Sequence, residues 1–337
     1  MRMRITSEEI AKLANVSRST VSRVVNNYSN VPEETRKKVM EIIEKYGYSP
    51  NMSARVLAGK ASQEILVCNY DYHIERKRDK EIKSLYFMRL ISELIAQSKK
   101  YGYIISVFEV SNSSDYIKIE NMFLNREISG GIFIGFEFQM KEINELISKG
   151  FNMVVIDPDD TMNLTDNVKG IYSENEEAAY LATRYLLDKG HRKIAHIAGD
   201  GRLSGRERLK GYLKAMREAG IDKKKLKIEE GKFDVDLSYT AAKKLLSSGE
   251  VEAIFAASDF MAIAAMRAAN DMGLTVPGDI DIIGCDHVST FEDVGIHLTS
   301  VDIPIREIAK TAVDAVLNLE TQQTYKCKAV LKKGNTA

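Results

Sequence analysis

Within nine residues near the amino end, Arg18, Ser19, Ser22, Arg23 and Asn26 fall on one side of a helical period, opposite Val21, Val24 and Val25. Guanidinium and hydroxyl groups donate to base edges and phosphates, and a helix N-terminus fits the major groove of duplex DNA. Thr6, Ser17 and Thr20 extend this polar surface. The plain alternative is the solvated face of an ordinary three-helix domain. Charge argues against it: residues 1–60 hold 11 Lys+Arg and 6 Asp+Glu, so of 48 and 48 in the chain the remainder holds 37 and 42. A neutral total conceals a basic head and an acidic body, which suits an anionic polymer at one end only.

The elements that must hold those side chains are legible too. Thr6 and Glu9 stand in capping-box spacing, which starts a helix at Ser7 that runs to about Ala14. Ile10, Ala11 and Leu13 are expected to face inward. Asn15 tolerates the left-handed conformation of a sharp turn, Ser17 caps the second helix, and a third helix follows. This is helix-turn-helix spacing. Pro50 then interrupts the chain, and Met52 to Lys60 has helical composition in a piece too short to be stable without a partner or ligand.

Beyond residue 60 short apolar strands such as EILVCNY, GGIFIGF, KIAHIAG and IDIIGCD alternate with amphipathic helices such as EEAAYLATRYLLDKG and SGRERLKGYLKAMREAG. That alternation predicts an α/β fold with parallel sheets covered by helices on both faces. Ligands of such sheets sit beyond the C-terminal strand ends, where Asp157, Ser258 and Asp286 fall, with Arg208 in the opening turn of a following helix. Carboxylates accept from adjacent hydroxyls, an arginine fork donates to oxygens, and an aromatic face covers C–H surface, a set suited to a sugar or sugar derivative. A purine would call for aromatics above and below and fewer acids.

Other classes are disfavoured. GDGRLSG (199–205) as a dinucleotide loop is one residue too long, and an arginine-bearing helix opens where a pyrophosphate would sit. No nucleophile-base pair or metal-ligand spacing is evident, so no catalytic residue, metal or cofactor is expected. Three cysteines, Cys68, Cys285 and Cys327, suit small buried side chains in a reducing compartment. The start Met-Arg-Met-Arg runs into a polar helix with no signal-peptide apolar region, and no apolar run approaches a bilayer span, so a cytoplasmic protein without a membrane partner is expected.

Five motifs in order carry a resemblance over essentially the full length: IAKLANVSRSTVSRVVN (10–26), YGYSPNMSARVLAGK (46–60), DKGHRKIAHIAG (188–199), RERLKGYLKAM (206–216) and AASDFMAIAAMRAANDMGLTVPGDIDIIGCD (256–286). The chain resembles the LacI/GalR family of bacterial transcription regulators. The resemblance implies a helix-turn-helix head with a hinge helix (1–60, hinge about 51–60) and a two-lobed, periplasmic-binding-protein-like body (61–337). It sets lobe 1 at about 61–160 and 291–320, and lobe 2 at about 161–290 and 321–337. It further implies a homodimeric repressor on pseudo-palindromic double-stranded operator DNA, with Leu57 wedged into the minor groove and Ala54 beside it.

Carried over by motif, Arg208 and Asp286 match the family's effector-binding arginine and aspartate, Phe233 an aromatic lining position, and Asp157 a strand-end position facing the ligand. Tyr70, Tyr72, Tyr86 and Phe87 are further candidates on the first lobe's side, although YDYHIERKRDKEIKSLYF departs from the family's Asn-Pro-Phe-Phe stretch. ENEEAAY has Glu and Ala where Asp and Gly are usual, and no leucine heptad follows the tail, so no coiled-coil tetramer is expected. Two alternatives stay open: a purine-type regulator that needs its ligand to bind DNA, and an exported sugar receptor, against which the basic head and missing signal peptide count.

Overall fold

A capping box opens the chain's first helix. In the computed structural model the Thr6 amide donates to Glu9 Oε2 at 2.7 Å while the Glu9 amide donates to Thr6 Oγ1 at 3.3 Å, so each end of the motif satisfies an amide the helix leaves free. Residues 5–25, 28, 30–46, 62–70, 85–136, 139–159, 161–163, 165–288, 295–319 and 322–337 are described. Met1–Ser62 with Leu124–Glu127 forms one compact unit, and Gln63–Phe123 with Ile128–Ala337 another. Asn26, Ala54, Leu57, Tyr72 and the expected hinge helix at about 51–60 lie outside the described residues.

In the first unit, helices α1 (Ser7–Ala14), α2 (Arg18–Val25) and α3 (Glu33–Tyr46) surround Ile10, Ala11, Ala14, Val21, Val24, Val31 and Val39. Leu13 is a correction: it is 49% exposed and Ala14 takes the inner place. Ala14 lies one turn above Ile10, whereas the i+3 position falls on the flank of the stripe. Asn15 caps α1 in the left-handed region at φ 53°, and the Thr20 amide donates to Ser17 Oγ at 3.1 Å to begin α2. Thr6→Ala is expected to lower head stability by about 1 kcal/mol, measured by thermal unfolding of the full chain followed through head resonances.

The second unit holds two sheets, each with its own layer of core. The first, in spatial order, is β11 (Thr324–Cys327), β5 (Val168–Ser173), β4 (Met153–Ile156), β3 (Gly130–Ile134), β1 (Glu64–Tyr70) and β2 (Ile104–Val110), with every pairing parallel. The second is β12 (Val330–Lys332), β10 (Ser300–Asp302), β9 (Asp281–Cys285), β8 (Ala253–Ala256), β6 (Ile194–Ala198) and β7 (Lys227–Glu230), in which β12 alone runs antiparallel. Between strands run α4 (Leu85–Lys99), α5 (Ser113–Leu124), α6 (Met140–Ser148), α7 (Asn175–Asp188), α8 (Leu203–Glu218), α9 (Val235–Ser247), α10 (Asp259–Asp271) and α11 (Ile305–Val316). Fully buried strands such as GGIFI and MVVI read as unbroken apolar runs because both faces are covered.

The lobe boundaries expected from sequence are corrected by strand pairing. Val168–Ser173 pairs with β4 in the first sheet rather than belonging to the second lobe, so the chain first changes sheets after residue 173. Ser300–Asp302 pairs with β9 in the second sheet, and Thr324–Cys327 returns to β5 in the first. The crossings thus lie near 174, 303 and 328, not near 160, 290 and 320. β10 has three residues, β11 lies at a sheet edge, and the VKGIYS of β5 is broken by Lys169 and Gly170, so only their hydrogen-bond partners assign these strands to a sheet.

All three cysteines are buried and free, and burial pushes their thiols up. Burial lowers His196 to about 4, while its Nδ1 meets the Phe255 carbonyl at 2.9 Å. Among the described residues no group of three His, Cys, Asp or Glu is placed to hold a metal ion, and no helix is long and apolar enough to cross a membrane.

Candidate ligand cleft and nucleic-acid interface

The C-terminal ends of β5, β8 and β9 converge on one arginine. Arg208, on α8 and 4% exposed, donates from Nε to Asn175 Oδ1 at 3.0 Å, from Nη1 to the Ala257 carbonyl at 2.5 Å and from Nη2 to Asp286 Oδ1 at 2.8 Å. Three branches thus reach the first residue of α7, the end of β8 and the residue after β9. Burial pushes the Asp286 carboxyl up, and the adjacent guanidinium holds it back. Burial opposes charge on Arg208 as well, but the Asp286 carboxylate, with smaller help from Cys285 and Tyr86, raises the arginine above its ordinary value. The two form a desolvated ion pair with defined, one-point geometry.

From the first lobe, Asp157 follows β4 at φ 50°; its Oδ1 accepts from the Ser173 amide at 2.6 Å and its Oδ2 from Ser173 Oγ at 3.0 Å. Tyr86 on α4 lies within the field of Asp157, Asp286 and Arg208; burial and the two carboxylates push its phenol well up. Its hydroxyl is buried near the Ser173 side chain and makes no well-formed hydrogen bond among the described residues. A buried hydroxyl without a well-formed partner, in the field of two carboxylates and a guanidinium, is the kind of group a polar ligand completes.

The other sequence candidates divide. Phe233, at φ 52°, is covered on one face by the Arg202 guanidinium 4.6 Å from its centroid, and its ring lies so close to Gly199 that a Cβ there would come within 2.4 Å. Arg202 itself donates from Nε to Asp200 Oδ1 at 2.9 Å. Ser258 serves as the N-cap of α10, its Oγ accepting from the Met261 amide at 3.4 Å. Tyr70 stands edge-on to Phe136 with centroids 5.9 Å apart, and Phe87 packs partly buried against the core. Sequence reading missed Asn175, Ser173, Arg89 and Asp259. Asn175 sits within the departing ENEEAAY stretch, and its place at a helix start after a strand end was the available signal.

Asp259, 1% exposed, accepts from the Val288 amide at 2.6 Å and from Ser300 Oγ at 2.5 Å. Burial, aided by the nearby Asp286 charge, raises it to about 7. The folded protein therefore keeps a proton on this group that the unfolded chain has lost above its ordinary carboxylate value. That contribution to stability is present at low pH and is lost as pH rises from about 4 through about 7. Urea unfolding at pH 5 and pH 8 is expected to show a smaller loss of stability with rising pH for Asp259→Asn than for wild type; an equal pH slope would refute the assignment.

In the head, Arg18, Ser19, Ser22 and Arg23 are all exposed, as a surface that meets DNA requires, with Ser17 exposed and Thr20 half-buried beside them. Arg18 pairs with Glu8 at 3.4 Å, both side chains about two thirds exposed (66% and 68%). An exposed pair of this kind contributes little and exchanges readily for a phosphate.

Comparison with known proteins gives two family matches. Residues 6–51 match the family model described as bacterial regulatory proteins, lacI family, and residues 183–331 match a periplasmic binding protein-like domain. Catabolite control protein A of Priestia megaterium is 32% identical over 96% of this chain and 94% of its own length. The HTH-type transcriptional repressor PurR of Vibrio vulnificus (strain CMCP6) is 30% identical over 93% and 91%. Among solved structures, the lac repressor dimer bound to operator and the anti-inducer ONPF superposes with a TM-score of 0.84 at 26% identity, covering 99% of each chain.

Proposed function

The chain belongs to the lacI family of bacterial regulatory proteins, and from that premise we propose that it is a homodimeric repressor whose operator affinity is set by a sugar or sugar derivative held at Arg208 and Asp286. The family makes it a DNA-binding transcriptional regulator that answers to a small effector, and its relatives are regulators rather than enzymes. The observation that supports the sugar reading most is the buried Tyr86 hydroxyl, which makes no well-formed hydrogen bond among the described residues, in the field of the Arg208–Asp286 pair and Asp157. One donor-acceptor hydroxyl, one fork and two carboxylates match the alternating hydroxyls of a polyol. Phe233 and Ser258 are proposed as flanking contacts, Tyr70 and Phe87 as outer ones.

Effector binding favours one lobe arrangement and shifts DNA affinity by linkage. Thermal-shift screening of the full chain against a sugar panel tests this, because a native-state ligand raises apparent stability. A panel of neutral and acidic sugars that leaves the unfolding temperature unchanged, while a purine raises it, would overturn the sugar reading in favour of a purine-type effector. Repeating operator binding with the hit separates inducer from corepressor by the sign of the change.

The homodimer is supported by an apolar surface of the first lobe: Met88 and Ile95 on α4, and Ile104 and Val107 on the edge strand β2, are 52%, 49%, 57% and 53% exposed. Clustered exposed apolar side chains beside an open strand edge favour association. Val107→Glu is expected to shift the dimer-monomer equilibrium at least tenfold toward monomer in analytical ultracentrifugation, about 1.4 kcal/mol, and to weaken operator binding in parallel.

A further inference from the structure

The corner that follows β9 is held from both lobes. Its amides are satisfied within the second: Asp286 donates to the Val301 carbonyl at 2.8 Å, His287 to Ser300 Oγ at 3.1 Å and Val288 to Asp259 Oδ2 at 2.6 Å. Its carbonyls are served from the first. Arg89 Nη1, on α4, donates to the Asp286 carbonyl at 3.3 Å and to the His287 carbonyl at 3.0 Å. Asp286 and His287 also adopt φ 110° and 47°, a region L-residues occupy only where surrounding structure imposes it. The same Asp286 presents its carboxylate to Arg208, and the Arg89 charge favours its ionised form.

We propose that Arg89 is a positioning residue that couples the relative placement of the lobes to the ligand-reading carboxylate. The proposal rests on the cleft reading given above. With Arg89 seated, two carbonyls for which the described residues of their own lobe offer no donor are satisfied, and the strained dipeptide holds Asp286 against Arg208. A shift of α4 away from this corner removes both hydrogen bonds at once, and the dipeptide relaxes with its carboxylate. By reciprocity, anything that fixes Asp286 on Arg208 favours the lobe arrangement that seats Arg89. From sequence, Arg89 in LYFMRLIS reads as one more solvent-facing helix position; only the return of residues 286–287 to the first lobe's helix gives it this task.

Hydrogen exchange followed by mass spectrometry on the full chain without added ligand tests the coupling. Arg89→Met is expected to speed exchange of residues 285–288 and 300–302 about tenfold or more, leaving strands β6 and β8 as in wild type. Arg208→Met, changed in the second lobe, is expected to speed exchange of residues 85–92 in the first more than that of strands β1 and β3 in the same lobe, a response that neither a merely local role for Arg89 nor a general loss of stability produces. Changes confined to 85–92 in Arg89→Met, or unaltered exchange there in Arg208→Met, overturn the proposal. Should Arg89→Met exchange faster throughout, Arg89→Lys decides: acceleration selective for the corner supports coupling, and uniform or absent acceleration overturns it. D-ribose, D-glucose and cellobiose are then added to wild type; if none slows residues 285–288, the sugar reading fails while the coupling, measured without sugar, stands.

Discussion

Arg208→Met is expected to weaken binding of a sugar found by thermal-shift screening about a hundredfold, since charge-assisted hydrogen bonds of this kind each contribute about 1.5–3 kcal/mol. It should also lower folding stability by about 3–5 kcal/mol, because it strands the Asp286 carboxylate without its partner in a buried site. The two effects separate in Arg208→Met with Asp286→Leu. Removing both charges restores much of the stability, although Asn175 Oδ1 and the Ala257 carbonyl still lack their donor, and it restores none of the binding. Calorimetric titration and urea unfolding of the three proteins check this. Retention of wild-type sugar affinity by Arg208→Met would remove the residue from the pocket. Equal stability of the single and double variants would show that the pair is not the desolvated unit its burial describes.

Operator affinity is expected to fall by about a hundredfold or more when Arg18 and Arg23 are both replaced by alanine, each bidentate base contact being worth about 1–3 kcal/mol. Both side chains project from α2, whose inner face is committed to Val21 and Val24, so truncation should leave the head folded. The single variants distinguish the contacts. A base-reading arginine, once removed, relaxes preference at one operator position, whereas a phosphate-reading one weakens all sequences alike and reduces the salt slope by about 1. Fluorescence anisotropy against selected operator sequences, at several salt concentrations, reads both. Loss of Arg18 also removes its pair with Glu8, but that pair is solvent-exposed and contributes little to the head's stability. Unchanged affinity and salt dependence in the double variant would move the DNA-reading surface elsewhere.

Most of the head was legible from local chemistry. The Thr6–Glu9 box, the left-handed Asn15 and the Ser17 cap are short-range devices whose partners lie within four residues, so spacing alone specifies them. The buried β strands were equally plain, because a strand covered on both faces carries an unbroken apolar run. Leu13 escaped because apolar type does not say on which flank of a narrow stripe a helix position falls. Strands β7, β11 and β12 at the sheet edges and the three-residue β10 escaped because KIEE, TYKC, VLK and SVD have no such run, and their pairing is long-range, as where Thr324 of β11 meets Gly170 of β5.

The cleft divides in the same way. Asp157 and Asp286 at strand ends, and Arg208 on the helix after one, could be singled out from their position after apolar runs and from motif resemblance. What the sequence by itself determined was the kind of machine: a basic reading head, an alternating α/β body, and acids and an arginine at its strand ends, each a property of periodicity, charge or local spacing. The tertiary structure alone decided which groups meet. Asn175 and Ala257 come to Arg208, Ser173 to Asp157, and Arg89 of one lobe to the carbonyls of the other, because hydrogen bonds between groups tens to hundreds of residues apart depend on strand order, and strand order leaves no local trace.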